Sequence, residues 1–452
     1  MSFFNRVNIA QEELDEAPIL EGGENVEMPE EEFIGGEEDE VEVAEISDEI
    51  NNDNEAISEA ETAASDLAEV AETNEQALEN PEEVTEEQVE AAQESLKICL
   101  AKLGMVDMYK EANSQFKLAH ESYSSPAERL QVAQEGIKET IGKIIEWIRN
   151  LFRKILLWFK KMYAKLTVLF NRSQAKAKKL KAVLAQRKGD IDIPVGEYRS
   201  LCAGYPGIGM MVANGKTLMI DKDATIVDKM STVVKDLAND IKAAANQTNV
   251  SSEANNKEQK NKAEAAASTA GEKLAKVGNV SLVDGINLQD IIEDDIGNNH
   301  IFLRIDGTKA KVITFEKDDN GVTFEIKNVN YDIEAFNSKL NKAPTKNDLS
   351  TIINAAVKQN ISKMANSAFK AIKEGDGLVK SFEIVKKAAD ANDNGGTMSI
   401  NGYQRAANVG RKIGTEAVID VVIGTVRAQS QLLSLVGKCL TYVNKKADTA
   451  KK

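Results

Sequence analysis

Two histidines, His120 and His300, and three cysteines, Cys99, Cys202 and Cys439, are the residues of this chain best suited to nucleophilic, acid–base or metal chemistry. They are scattered, and no pair has metal-ligand spacing. An odd number of widely spaced cysteines fits a reduced, intracellular history better than a disulfide framework. The acidic run Glu293-Asp294-Asp295 offers paired carboxylates, but it reads as a solvated face or a helix end. Asp306-Gly307 and Asp318-Asp319-Asn320-Gly321 share residues with calcium loops, yet lack the spaced ligands and the terminal glutamate. Turn chemistry explains them better. No GxxxxGK[ST] or HExxH motif is present. Without a nucleophile, base and orienting group that belong together, the expectation is a protein that is not an enzyme and takes no metal or cofactor.

Charge is the stronger signal. The first 94 residues hold about 33 acids against Arg6 alone, a net charge near −32 by the usual assignment. The whole chain is −17, so the remainder carries about +15 on the same assignment. An acidic leader is thus fused to a basic body, a division expected of solvated arms and of polyanion-binding proteins. The N-terminal residues MSFFNRVNIAQEE lack a charged segment followed by an apolar core, so no secretory signal is expected.

Gly136 to Gly189 organises the body. Ile137, Ile141, Ile144, Ile148, Phe152, Ile155, Phe159, Met162, Leu166 and Phe170 recur at steps of three and four, one face of a helix. Between them stand Lys138, Lys143, Arg149, Arg153, Lys154, Lys160, Lys161, Lys165 and Arg172, the candidate polyanion-binding residues. Both tryptophans, Trp147 and Trp158, lie here. Ser125-Pro126-Ala127-Glu128 reads as a capping box with proline at the first helical position, so the helix is expected from Pro126 past Lys179. Its uncharged runs are far shorter than the ~20 residues of a membrane span. Three readings remain open: an intrachain packing helix, a cationic helix lying on anionic membrane or nucleic acid, and an oligomer seam.

The composition predicts a predominantly helical α+β protein. Residues 1–94 form an acidic arm, disordered to about Asn54 and then helical. Residues 95–188 are helical and contain the long amphipathic helix. Residues 189–397 are a mixed α/β body, and 398–452 a C-terminal packing helix. Thr85-Glu86-Glu87-Gln88 is expected to cap a helix ending near Gly104, followed by a helix over Val106–Ser122. Asn214-Gly215 within MMVANGKTLMI suggests a hairpin. Ala224–Ala245 reads as helix, Asn246–Asn261 as turn-rich, and an Ala-rich helix follows to about Val277. IFLRI, KVITFE and VTFEIKNV form a three-stranded meander between His300 and Asn330. Helix resumes from Thr345 to Lys373, ends at Gly375-Asp376-Gly377, and resumes over Leu378–Ala391. The last helix runs from about Ser399 to Lys446 and offers a partner for the central one.

These features together resemble the internal head proteins of giant tailed bacteriophages. The resemblance rests on the acidic leader, on Ser125-Pro126-Ala127-Glu128-Arg129-Leu130 followed by Glu135-Gly136-Ile137, and on the aromatic-basic run from Ile144 to Phe170. The text from Tyr205-Pro206-Gly207 to Leu218-Met219-Ile220 is also similar, and residues 85–220 carry most of the likeness. It implies a structural protein packed in the head with DNA, trimmed by a prohead protease after small-x-Glu, and in some cases delivered into the host cytoplasm. Carried onto this chain, the candidate cleavage residues are Glu94 and Glu135, each closing an Ala-Gln-Glu, with Glu79 of Ala77-Leu78-Glu79 the weaker match. Glu94 ranks above Glu135, which lies in the long helix. Residues 95–135 are balanced at about five acids and five bases, so either cut leaves a body near +15. The partners implied are packaged DNA, capsid and prohead proteins and the protease. Further copies of the chain, a membrane surface contacted by the cationic helix, and a scaffold-like prohead core role stand as alternatives.

Overall fold

The computed structural model describes residues 36–187, 189–246, 253–318, 321–390 and 400–449. It opens on α1 (Gly36–Leu78), α2 (Glu86–Lys102), α3 (Val106–Ser122) and α4 (Pro126–Gln186). The acidic segment is helical from Gly36, so the disorder expected as far as Asn54 is corrected for residues 36–54. Residues 1–35, with the rest of that expectation, lie outside the described residues. The correction has a packing cause. Ile46 and Ile50 are buried, so the acidic helix has an apolar face to dock.

Local signals place the helix ends. Thr85 and Gln88 form the reciprocal capping box at α2. Gly104 ends it at φ +67°. At α4 the Ser125 hydroxyl accepts from the Glu128 amide, and Pro126 takes the first helical position. All ten apolar residues of the predicted face of α4 are buried.

Next come α5 (Val195–Cys202), α6 (Pro206–Ala213), α7 (Ile220–Asn246) and α8 (Glu253–Ala275). The hairpin expected at Asn214-Gly215 is absent, and the same dipeptide ends α6. Gly215 adopts φ +61°, its amide donates to Val212 O (3.1 Å), and the Lys216 amide donates to Met211 O (3.0 Å). This Schellman cap needs the left-handed conformation that a tight hairpin turn also needs, so Asn-Gly serves both. Helix also begins at Glu253, inside the stretch read as turn-rich.

The meander is present as β1 (His300–Asp306), β2 (Lys309–Asp318) and β3 (Gly321–Asn330), antiparallel in the order 1-2-3. His300 pairs with Thr314 and Asp318 with Gly321, with a bulge between Phe302 and Arg304. Then follow α9 (Ile333–Lys339), α10 (Lys346–Lys358), α11 (Ser362–Asp390), α12 (Ile400–Arg411), a π-helical turn (Lys412–Ala417) and α13 (Val418–Thr449). The single helix expected over Thr345–Lys373 is broken between Lys358 and Ser362, while α11 passes unbroken through Gly375-Asp376-Gly377. A Cβ on Gly375 would stand 3.2 Å from Phe152 Cε1. This glycine admits the neighbouring ring of α4 and does not stop the helix. The expected stop at Asn394-Gly395-Gly396 and the start at Ser399 lie outside the described residues.

α4 is the axis. α1 runs antiparallel to it, since Glu75 meets Lys138 while Asp53 meets Lys154. α2 runs parallel, with Glu86 at Arg129 and Leu96 at Gly136. α11 is antiparallel: Gly375 faces Phe152, the Phe369 ring meets Phe159 edge-on at 4.9 Å, and Gln359 O accepts from Gln174. α13 is parallel, with Ser434 at Lys176 and Asn444 at Arg187. The sheet joins α13 through a buried ion cluster in which Lys311 contacts Asp420 at 2.7 Å and Glu416 at 3.2 Å, and Arg304 contacts Asp420 at 3.2 Å.

Candidate processing sites and cationic face

The structure divides the nine predicted cations of α4 by what they meet. Lys138 pairs with Glu75 of α1 at 2.7 Å. Lys154 pairs with Asp53 of α1 at 2.9 Å, approaches Glu49 at 4.0 Å and lies over the Trp158 ring. Lys143 is held by Glu139 at 2.8 Å, with Glu111 of α3 at 3.8 Å. The hydrogen bond to Glu139 raises its pKa. Arg149, Lys165 and Arg172 are half-buried. Lys161 is exposed and stands 4.7 Å from the Trp158 ring centroid, a cation–π distance. Arg153 and Lys160 are exposed and have no ion-pair partner among the described residues.

The basic stripe is therefore not one open surface. Its first half is partly neutralised by the acidic helix. Past Trp158 the side chains of Lys160, Lys161, Lys178 and Lys181 are exposed. α11 adds charge that a one-helix reading missed. Its Phe369 packs against Phe159 and Tyr163, and Lys370 and Lys373, both exposed, lie beside and one turn after it. The sequence signal for these lysines was a Lys at helical spacing around an aromatic residue, far along the chain from the stripe itself.

The three candidate cleavage residues differ in the same way. Glu94 is exposed in α2, but Ala92 and Gln93 before it are buried. Glu135 is exposed in α4, and Ala133 and Gln134 before it are buried. Gln134 donates to Ala71 O (3.0 Å) and Glu75 Oε1 (3.3 Å) and accepts from Asn74 Nδ2 (3.3 Å). A protease needs an extended strand of several residues, so either bond is reached only after helix opening. Glu79 stands at the end of α1. It and the following Asn80, Pro81, Glu82 and Glu83 are all exposed. The weakest motif match thus has the most exposed surroundings of the three, between the last turn of α1 and a 3-10 turn at Pro81–Glu83.

The residues with catalytic potential are occupied structurally. His120 contacts Arg129 (3.1 Å), and His300 contacts Gly297 O (3.0 Å). All three cysteines are buried, and burial pushes each thiol up to about 12, away from a reactive thiolate. Glu293, Asp294 and Asp295 are exposed, and Asp295 accepts from the Gly297 amide. Among the described residues no group of three His, Cys, Asp or Glu is placed to hold a metal.

Two buried carboxyls remain. Asp223 accepts from the Ser281 amide (2.7 Å), the Ser281 hydroxyl (3.0 Å) and the Thr425 hydroxyl (3.2 Å). Burial raises it to about 6 against those bonds. Glu61 of α1 stands 3.8 Å from Arg411, and burial raises it to about 7. Both sit between elements and tie them together, Asp223 joining α7 to α13 and Glu61 joining α1 to the end of α12.

A family model described as phiKZ-like phage internal head proteins matches residues 37–445, from the start of α1 to the last turns of α13. No curated protein and no solved structure matches the chain.

Proposed function

The chain belongs to the phiKZ-like phage internal head proteins, and from that premise we propose how its acidic and basic parts act inside the head. Its role is structural and its place is the interior of the phage head. In our reading it is made as a precursor whose acidic leader is severed after a small-x-Glu, first at Glu79. The body then faces packaged DNA through the open part of α4 and the neighbouring lysines of α11, and travels with that DNA into the host. No catalytic step is assigned to it.

The observation that carries this reading is the split of the basic stripe. Glu75 and Asp53 of the leader occupy Lys138 and Lys154, while Arg153 and Lys160 stay open to solvent. Such a surface favours phosphate contact without base readout. A membrane-active helix would need the apolar face of α4, and that face is already packed against the rest of the chain. No described helix is long and apolar enough to cross a membrane.

The test is electrophoretic retardation of duplex DNA over a salt series. The expected result is sequence-independent binding whose logarithm falls with the logarithm of salt by ~0.9 per phosphate contact. Replacing Arg153 and Lys160 by Ala together is expected to flatten that slope. Replacing Lys138 by Ala is not, because Glu75 already holds it. Binding indifferent to salt, or equal in all three proteins, contradicts the assignment.

A further inference from the structure

The link between α1 and α2 is open, while both helices beside it are held by contacts that do not pass through it. Glu79 to Glu83 are exposed, and burial resumes at Val84. α1 buries Ile50, Ile57, Ala60, Ala64, Leu67 and Ala71, each at 2% exposure or less. Polar contacts are spaced along the same helix. Asn54 Oδ1 accepts from the Thr415 hydroxyl at 3.1 Å, and Glu61 faces Arg411. Asp53 meets Lys154, Asn74 meets Gln134 and Glu75 meets Lys138.

We infer that α4 and the π-helical turn form a docking seam for a separate acidic helix, so that α1 stays bound as its own chain after the 79–83 link is severed. The occupant is α1 itself, residues 36–79. Three features of the seam select it.

The first is charge. Residues 36–78 contain no lysine or arginine, and the groups they meet on the seam include Lys138, Lys154 and Arg411. The second is register. Asp53, Asn54, Glu61 and Asn74 are all buried, and each faces a polar partner. Sliding α1 by one turn would set buried polar groups against apolar side chains and leave Arg411 without Glu61, which is costly. The third is fit. Ala60, Ala64 and Ala71 are buried, and small residues on a buried helix face let a neighbouring helix pack at short range.

Severing the link therefore removes a tether and no contact. It turns an intramolecular docking into a bimolecular one, whose retention depends on concentration and on the buried seam. Trimming of this protein would then alter its covalent chain without uncovering Lys138 and Lys154. The inference takes its occasion from the processing reading, but docking does not depend on which protease makes the cut.

The experiment uses the full chain with a site-specific protease sequence inserted between Asn80 and Pro81. After cutting at ~10 μM, a concentration at which a mass-action loss would be visible, native size-exclusion chromatography is followed by intact-mass analysis. The expected result is co-elution of residues 1–80 with residues 81–452 in equal amounts, and separation only in denaturant. The same cut in Ile57→Asp is expected to release the fragment, because the substitution puts an unpaired charge into the seam. Elution of the native fragment alone overturns the inference. If the insertion prevents folding of the uncut chain, residues 1–80 and a tagged 81–452 are co-expressed. Recovery of both in equal amounts on the tag supports docking, and recovery of 81–452 alone overturns it. The processing reading is judged separately, by the N-terminus found in phage heads, so either idea can fail without the other.

Discussion

α1 and α13 both lie along α4, and they hold it by different means. α13 buries mostly branched apolar side chains, Val421, Val422, Val426, Leu432, Leu433, Val436 and Leu440, with Asp420, Thr425 and Gln429 among them, and at α4 itself Leu433 packs with Ala177 and Gly437 faces Leu180. α1 presents alanines and a few isoleucines with Asp53, Asn54, Glu61 and Asn74 buried among them. The first kind of seam gains most from area removed from water and cannot be opened without exposing that area. The second gains less per turn and spends part of it on desolvating polar groups, but fixes one register. The first holds α13 by apolar area, and the second holds α1 by a register that polar partners fix.

The widest difference is expected from a charge in each seam. Val422→Asp or Leu433→Asp in α13 is expected to unfold the protein, since an unpaired buried carboxylate costs more than ~4 kcal/mol in such a site. Ile57→Asp in α1 is expected to leave the rest folded, with a smaller loss of melting temperature. Hydrogen exchange then separates the two cases: faster exchange should be confined to α1 in the second variant. Equal global unfolding in both would remove the distinction between the seams.

A pH series sharpens the same comparison. Burial holds Glu61 at about 7 against an ordinary 4.5. The folded protein therefore keeps this proton where the unfolded chain has lost it. Its contribution to stability is largest at and below pH 4.5, falls as the pH rises toward 7, and stays constant above. With exchange rates divided by the intrinsic base-catalysed rates, α1 is accordingly expected to be better protected at pH 5 than at pH 8, and Glu61→Gln to reduce that difference. α13 holds a second such group through Thr425, since burial raises Asp223 to about 6 from an ordinary 3.8; its contribution falls between pH 4 and 6 and is constant above, so α13 should change less than α1 between pH 6 and 8.

The smallest stability effects belong to the exposed cations. Lys160→Ala is expected to shift stability by less than ~0.5 kcal/mol. Its effect appears in DNA retardation, where Lys138→Ala has none. A stability loss at Lys160 equal to that of Ile57→Asp would mean the open face is structural.

Much of the fold was legible in the sequence. The ten apolar positions of α4 repeat at one period, Thr85 and Ser125 signal helix starts, and the three strands alternate between turn dipeptides. What could not be read are features decided by distant neighbours. Asn214-Gly215 supplies a left-handed residue, and only the burial of Ile208, Met211 and Val212 makes it a helix cap. Gly375 reads as a breaker until Phe152 is placed against it. For the site, the stripe of cations was visible, but not which of them are occupied. Lys154 finds Asp53 about a hundred positions earlier, and no local pattern marks that pairing. The repeated Ala-Gln-Glu was visible too, while the burial of each Ala-Gln depends on how α2 and α4 pack.

The most direct measurement is terminal-peptide mass spectrometry of this protein recovered from mature phage heads. The expected result is a chain beginning at Asn80, no peptide spanning Glu79–Asn80, and peptides from α1 recovered in amounts equal to those from α13. A start at Ser95 or Gly136 would keep trimming but would show that a helix opens before it is cut. Intact protein beginning at Met1 or Ser2 would contradict the severed leader outright.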